Sequence, residues 1–220
     1  MTELYLAAVL FFLTHLLPVI GPLRSTAQSI LGKKFYFIIY SALSTVSLVW
    51  LAWAYSAAPF IELWQQQPWM RFLPFLTMPI VCYLLLSGLT LPNPFSLTLS
   101  TKKFNAETPG IVAITHHPVI NAFVFWALSH IPVNNDQAAF ALFSVVILIS
   151  LLGRFNLQHR KKTAMGRLAW NDLAGAVRLT SPLKGFQQTG ILRFIASILL
   201  YSLLLMAHQG VIGVSPFPDI

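Results

Sequence analysis

Residues 72–91 read FLPFLTMPIVCYLLLSGLTL, twenty positions without one charged side chain. At a helical rise of about 1.5 Å per residue this stretch is about 30 Å long, the thickness of a bilayer's hydrocarbon core. Outward from it, further apolar runs occupy Leu4 to Gly21, Tyr36 to Ala58, Ile111 to Pro132, Ala138 to Leu152 and Phe194 to Val214. Hydrophobic residues make up 56% of the 220-residue chain and charged residues only 9%, against roughly 25% charged in soluble domains. The sequence therefore predicts an all-α membrane protein: one transmembrane domain over residues 1–220, built as a bundle of about six membrane-spanning helices. Met1 to Glu3 sets an acid and no Lys or Arg before the first run, so that run reads as a mature helix and not as a cleavable signal peptide.

The net charge of +8 is distributed by side. Of the 14 Lys and Arg, 13 fall after the first or third run or around the connection between the fifth and sixth, and only Arg71 falls on the other side. The positive-inside rule then places both termini on the non-cytoplasmic face. Orientation, with attraction to anionic lipid, accounts for the charge, and no nucleic-acid partner is expected. Trp50, Trp53, Trp64 and Trp69 gather at the outer turn between the second and third runs, as interfacial aromatics do. In the last cytoplasmic loop Met165, Leu168, Leu173 and Val177 recur at helical spacing against Arg167, Asn171 and Arg178, which predicts an interfacial helix.

No GxSxG, P-loop, HExxH or GxGxxG occurs, and none of the six acids falls inside a run, so two-carboxylate catalysis and proton-coupled pumping are disfavoured. No catalytic residue is assigned. Five of six histidines do fall inside runs: His15, His116, His117, His130 and His208. By helical rise His15 and His117 each lie roughly 8 to 10 Å inside the inner boundary. Two imidazoles at one depth on the first and fourth helices suit a b-type haem, which needs neutral axial nitrogens, an apolar cavity and cations for its propionates. Arg24, Lys33, Lys34, Lys102 and Lys103 are on that side. Zinc would need a third ligand that only His116 offers. Pro118 leaves two readings for residues 110–118, a kinked helix or a re-entrant loop, and both open the backbone at His117. Asn121, one turn after His117, is a candidate partner for the ligating ring. His130 and His208, near the outer helix ends, read as making interhelical hydrogen bonds or contacts with interfacial water; His159 reads as part of a solvated, lipid-facing basic run and Cys82 as packing.

Two stretches carry a family resemblance. His15, Arg24, Gly32, Tyr36, Tyr40, Ser44, Trp53, Ala54, Tyr55, Pro59 and Trp64 in order, and Thr115-His116-His117-Pro118 followed by Trp126-Ala127-Leu128-Ser129-His130, resemble NnrU proteins. Pro92-Asn93-Pro94 and the basic run after the fifth apolar run extend the match. The resemblance implies a multi-pass protein of the bacterial inner membrane associated with nitric oxide and nitrite metabolism. It also implies kinship with the plant zeta-carotene isomerase, which binds b-type haem through histidines and isomerises a cis double bond. The motif histidines correspond to His15 and His117. The sequence departs from the family at His116, where an Arg is usual, and at Gln158 and His159, where an acid is usual. Three functions are therefore expected as alternatives: a haem-dependent isomerase of an apolar polyene, a nitric oxide-binding or electron-carrying haem protein with an electron donor, or a non-catalytic assembly or regulatory protein with structural histidines.

Overall fold

The computed structural model describes residues 1–16 and 21–218. Its helices are α1 (Thr2–Leu16), α2 (Gly21–Ser56), α3 (Phe72–Thr90), α4 (Pro118–Val133), α5 (Gln137–Met165), α6 (Arg167–Arg178), α7 (Pro182–Thr189) and α8 (Ile191–Ile212), with 3-10 turns at Pro68–Arg71 and Gly110–Ala113. Among the described residues there is no strand, only an isolated bridge between Glu62 and Asp136.

Four helices, not six, are long and apolar enough to cross a bilayer; they lie within residues 23–56, 68–90, 137–165 and 191–212. The two shortfalls have local causes. The helix expected from Ile111 begins only at Pro118 and has 16 residues, about 24 Å. Gly110–Ala113 form a separate 3-10 turn, so of the two readings of 110–118 the kinked helix is excluded. α1 has 15 residues, and residues 17–20 of its apolar run lie outside the described residues. Conversely, α5 continues past Leu152, where the loop was expected to begin, and through the basic run to Met165; the next residue, Gly166, has a φ of 86° that ends the helix. α2 is interrupted at Gly32, whose φ of 74° and ψ of 153° only glycine adopts readily.

The chain forms two compact units, Met1–Gln66 with Asn134–Ile149, and Gln67–Val133 with the chain from Ser150 onward. In the first, Leu4, Ala7 and Ala8 of α1 pack with Leu51 and Ala54 of α2 and Ala138 of α5, small residues that let helix backbones approach. Asp136 caps α5, its Oδ1 accepting from the amides of Ala138 (2.8 Å) and Ala139 (3.0 Å). Asn135 Nδ2 donates to Glu62 Oε1 and to the Trp64 carbonyl.

In the second unit α3 is central, packed by α4 and α8. Gly88 is where α4 approaches: a Cβ there would lie 2.8 Å from both Pro118 Cγ and Val119 Cγ2. The amphipathic helix expected in the last loop exists as α6, but its apolar face is covered by the protein itself and not by lipid. Trp170, Ala174 and Val177 join Phe95, Ile111 and Val112 in the core, while Leu168 points outward at 80% exposure. α7 clamps the 3-10 turn through Gln188, whose Oε1 accepts from Gly110 N and whose Nε2 donates to the Glu107 carbonyl, both at 3.2 Å.

A Cβ at Gly185 would lie 2.7 Å from Ala113 Cβ and from the Gly110 carbonyl oxygen, whereas one at Gly153 of α5 meets nothing within 4 Å. Gly185→Ala is therefore expected to cost about 1–3 kcal/mol by overpacking. Gly153→Ala should stabilise its helix by about 0.5–1 kcal/mol. Unfolding of the detergent-solubilised variants followed by circular dichroism checks the opposite signs.

Candidate functional site

The Pro92-Asn93-Pro94 segment follows the end of α3, and its prolines cannot donate amides to continue a helix. Between them Asn93 is 4% exposed and uses its side chain in two directions. Oδ1 accepts from the amides of Phe95 (2.9 Å) and Ser96 (3.1 Å), and Nδ2 donates to the carbonyl of His116 (3.0 Å). One amide thus fixes the segment 95–96 against the segment 116–117. Phe95, fully buried, stacks on the His116 ring at 4.2 Å and 11°, and takes Trp170 of α6 edge-on at 4.8 Å. Ser96 Oγ lies 3.0 Å from His117 Nδ1.

His117 stands at the entrance of α4. Its carbonyl accepts from Asn121 N (2.9 Å), the first helical bond, and Pro118 follows as the first residue of the helix, where a missing amide costs nothing. Its own amide donates to Thr115 Oγ1 (3.2 Å). Asn121, expected beside the imidazole, instead donates from Nδ2 to that same Thr115 oxygen (2.8 Å), so it braces the backbone and not the ring. The ring is 2% exposed, with Nδ1 at Ser96 and Nε2 3.4 Å from Gln158 Oε1 of α5.

Burial pushes His117 below the ordinary histidine value; the contact with Gln158 opposes this, and the charge of Arg154 and the neighbouring His116 add to it. Burial likewise lowers His116, with Arg178 and Arg154 contributing. Both rings are neutral at pH 7, the form in which an imidazole ligates a metal.

In the first unit His15 Nδ1 lies 2.8 Å from the Phe11 carbonyl, which can only accept, so Nδ1 carries the proton. Ser44 Oγ stands 3.4 Å from Nε2. Phe11 packs against the ring at 4.3 Å and Tyr40 meets it edge-on at 6.3 Å. Arg24 lies over the Phe37 ring at 5.9 Å.

The remaining histidines have local roles. His130 Nδ1 pairs with the Trp126 carbonyl one turn earlier on α4, and His208 Nδ1 with the Val214 carbonyl just past α8, both at 2.8 Å. These bonds lie within or beside one helix. His159 is exposed on the basic half of α5, and Cys82 is buried at 1% exposure. Among the described residues no three His, Cys, Asp or Glu gather as a metal site. Sequence reasoning missed Asn93, Ser96 and Gln158 as partners of the histidines. The Pro-Asn-Pro spacing was the available signal for the first, Gln158 stood out only as a departure from the family, and Ser96 gave none.

Asn93→Ala would strand the two buried amides of Phe95 and Ser96 and leave the half-buried His116 carbonyl without this donor, and each unsatisfied buried group costs about 1–3 kcal/mol. The expected result is a loss of about 2–4 kcal/mol in unfolding free energy, with freer access of diethyl pyrocarbonate to His117; unchanged protection of His117 would contradict the role assigned to Asn93.

No curated protein matches the chain, and no solved structure does. The family model described as NnrU protein matches residues 3–216, from the start of α1 to beyond α8 and including both His15 and His117. The chain belongs to the NnrU family of helical membrane proteins.

Proposed function

We propose that this chain is a multi-pass haem protein of the bacterial inner membrane, with both termini on the non-cytoplasmic side, in which His15 and His117 are the axial ligands of haem b. One observation carries the reading. At both histidines Nδ1 is held by a short contact, 2.8 Å to the Phe11 carbonyl and 3.0 Å to Ser96 Oγ, while Nε2 has only a 3.4 Å contact, to Ser44 or to Gln158. Ligating imidazoles are commonly oriented in this way, the distal nitrogen hydrogen-bonded and the other presented. The residues fit the group in charge as well: burial favours the neutral, ligating form of His117, and Arg24, Lys33, Lys34, Lys102 and Lys103 are the cations available for carboxylates.

Haem held there would supply an iron centre able to exchange electrons and to take a gas or an olefin when one imidazole is given up. The chain's own part is to orient the two rings through their Nδ1 contacts and, at His117, to favour the neutral form by burial. Two uses follow from the family: binding nitric oxide or carrying electrons from a donor in nitric oxide and nitrite metabolism, or isomerising an apolar polyene. The 3.4 Å contacts at Nε2 also favour a second reading, in which both histidines serve only as internal hydrogen-bonding groups of a non-catalytic assembly or regulatory protein.

An absorption spectrum of the purified protein separates the readings. The haem reading expects a Soret band that is lost in His15→Ala and in His117→Ala, and a haem affinity reduced about 10- to 100-fold in Ser96→Ala. A shift of the band with nitric oxide marks the gas-binding use, and conversion of an added cis-polyene marks the isomerase. A colourless protein whose double histidine variant loses only about 0.6–2 kcal/mol of stability per bond would establish the structural reading instead.

A further inference from the structure

The two histidines differ in what faces each ring nitrogen. At His15 the group that can only accept, the Phe11 carbonyl, lies at Nδ1, and the Ser44 hydroxyl lies at Nε2. At His117 the order is reversed. The Ser96 hydroxyl lies 3.0 Å from Nδ1, and Gln158 Oε1, an amide oxygen that can only accept, lies 3.4 Å from Nε2. In this arrangement the proton of the neutral His117 ring sits on Nε2, and the Ser96 hydroxyl donates to Nδ1. That is the tautomer opposite to the one in which Nε2 can ligate a metal.

Exposure sets the two partners apart as well. The His117 ring is 2% exposed, yet Gln158 is an exposed side chain of α5, 41 positions along the chain. Among the described residues the Gln158 side chain has no second hydrogen-bonding partner. A solvent-facing glutamine held by one contact at the long end of the hydrogen-bond range can turn away at the cost of that bond alone. Ser96, by contrast, is 2% exposed and fixed through its amide by Asn93. Its hydroxyl both donates and accepts, so it can reverse its bond to Nδ1 without moving. Resting on the haem reading, we propose that Gln158 is a gate over His117 Nε2, capping the nitrogen while no ligand is bound and turning outward to release it to iron, as the Ser96 hydroxyl reverses its hydrogen bond. On opening, Nε2 gives its proton to water, and Nδ1 takes one from water and donates it to Ser96 Oγ. The charge of the ring is the same before and after. Gln158 is thus a positioning residue that acts through His117.

Diethyl pyrocarbonate, which acylates neutral imidazole nitrogens, reads the gate in the full chain prepared without haem in detergent, with each modified histidine located by peptide mass spectrometry. Gln158→Ala is expected to speed modification of His117 about fivefold, the weight of one ordinary hydrogen bond, and to leave His15 at its wild-type rate. Gln158→Met keeps the length of the side chain without the amide acceptor and should open the ring to a similar extent. Lys162→Ala, one turn further along α5, should change the rate by less than about twofold. Reaction of His117 at the wild-type rate in Gln158→Ala would overturn the proposal, and so would full protection in Gln158→Met, which would make the cover steric. On mixing with haem, the Soret band should grow about fivefold faster in Gln158→Ala than in the wild type; equal rates would overturn the release of the nitrogen to iron. A missing Soret band in every variant, with His117 opened as expected, would overturn the haem reading and with it the release to iron, while establishing the cap on the ring.

Discussion

The hydrogen bond from Asn93 Nδ2 to the His116 carbonyl joins two non-helical segments that the chain separates by 23 positions. Both segments carry main-chain polar groups in a protein that is otherwise helical and apolar, and such groups must find partners within the fold. An asparagine can both donate and accept, so one side chain satisfies the amides of residues 95 and 96 on one strand of backbone and a carbonyl on the other. Register follows from this. Phe95 meets His116 and Ser96 meets His117, neighbour against neighbour, because the same amide fixes both backbones. A hydroxyl or an apolar side chain at position 93 could not make this three-way contact.

Around that junction the second unit is arranged as a cap. α4 begins at Pro118 and leaves the preceding residues outside the helix, where they need support; α7 holds the 3-10 turn through Gln188, and α6 lays Trp170, Ala174 and Val177 over Phe95, Ile111 and Val112. The amphipathicity of α6 is therefore used for tertiary packing. The exposed leucines and isoleucines of α2 and α8 belong to a different solvent: with lipid around them, apolar exposure of this extent is the expected surface.

Family membership and chemistry stand on different footings. The NnrU match spans nearly the whole chain, and four apolar helices place it in a bilayer. The haem reading rests on two rings with the same pattern of one short and one long contact, found in separate units by different partners: a helical carbonyl for His15 and a serine hydroxyl for His117.

The sequence by itself determined that the protein is helical, that it carries membrane-spanning segments and which histidines stand out, because these depend on composition and on the 20-residue length scale of a bilayer. It also announced, through Pro118, that the backbone opens at His117. It could not decide how many apolar runs become spanning helices. That depended on whether residues 110–117 continue α4 or fold into a turn held by α7, a choice settled by Gln188, which lies more than 70 positions away. Nor could it assign partners to the imidazoles. Asn121 is at helical spacing from His117, yet Thr115 takes its amide, while Ser96 and Gln158 reach the ring from 21 and 41 positions distant. Spacing along a helix predicts neighbours only within that helix; contacts between segments arise from packing, which the tertiary structure alone fixes.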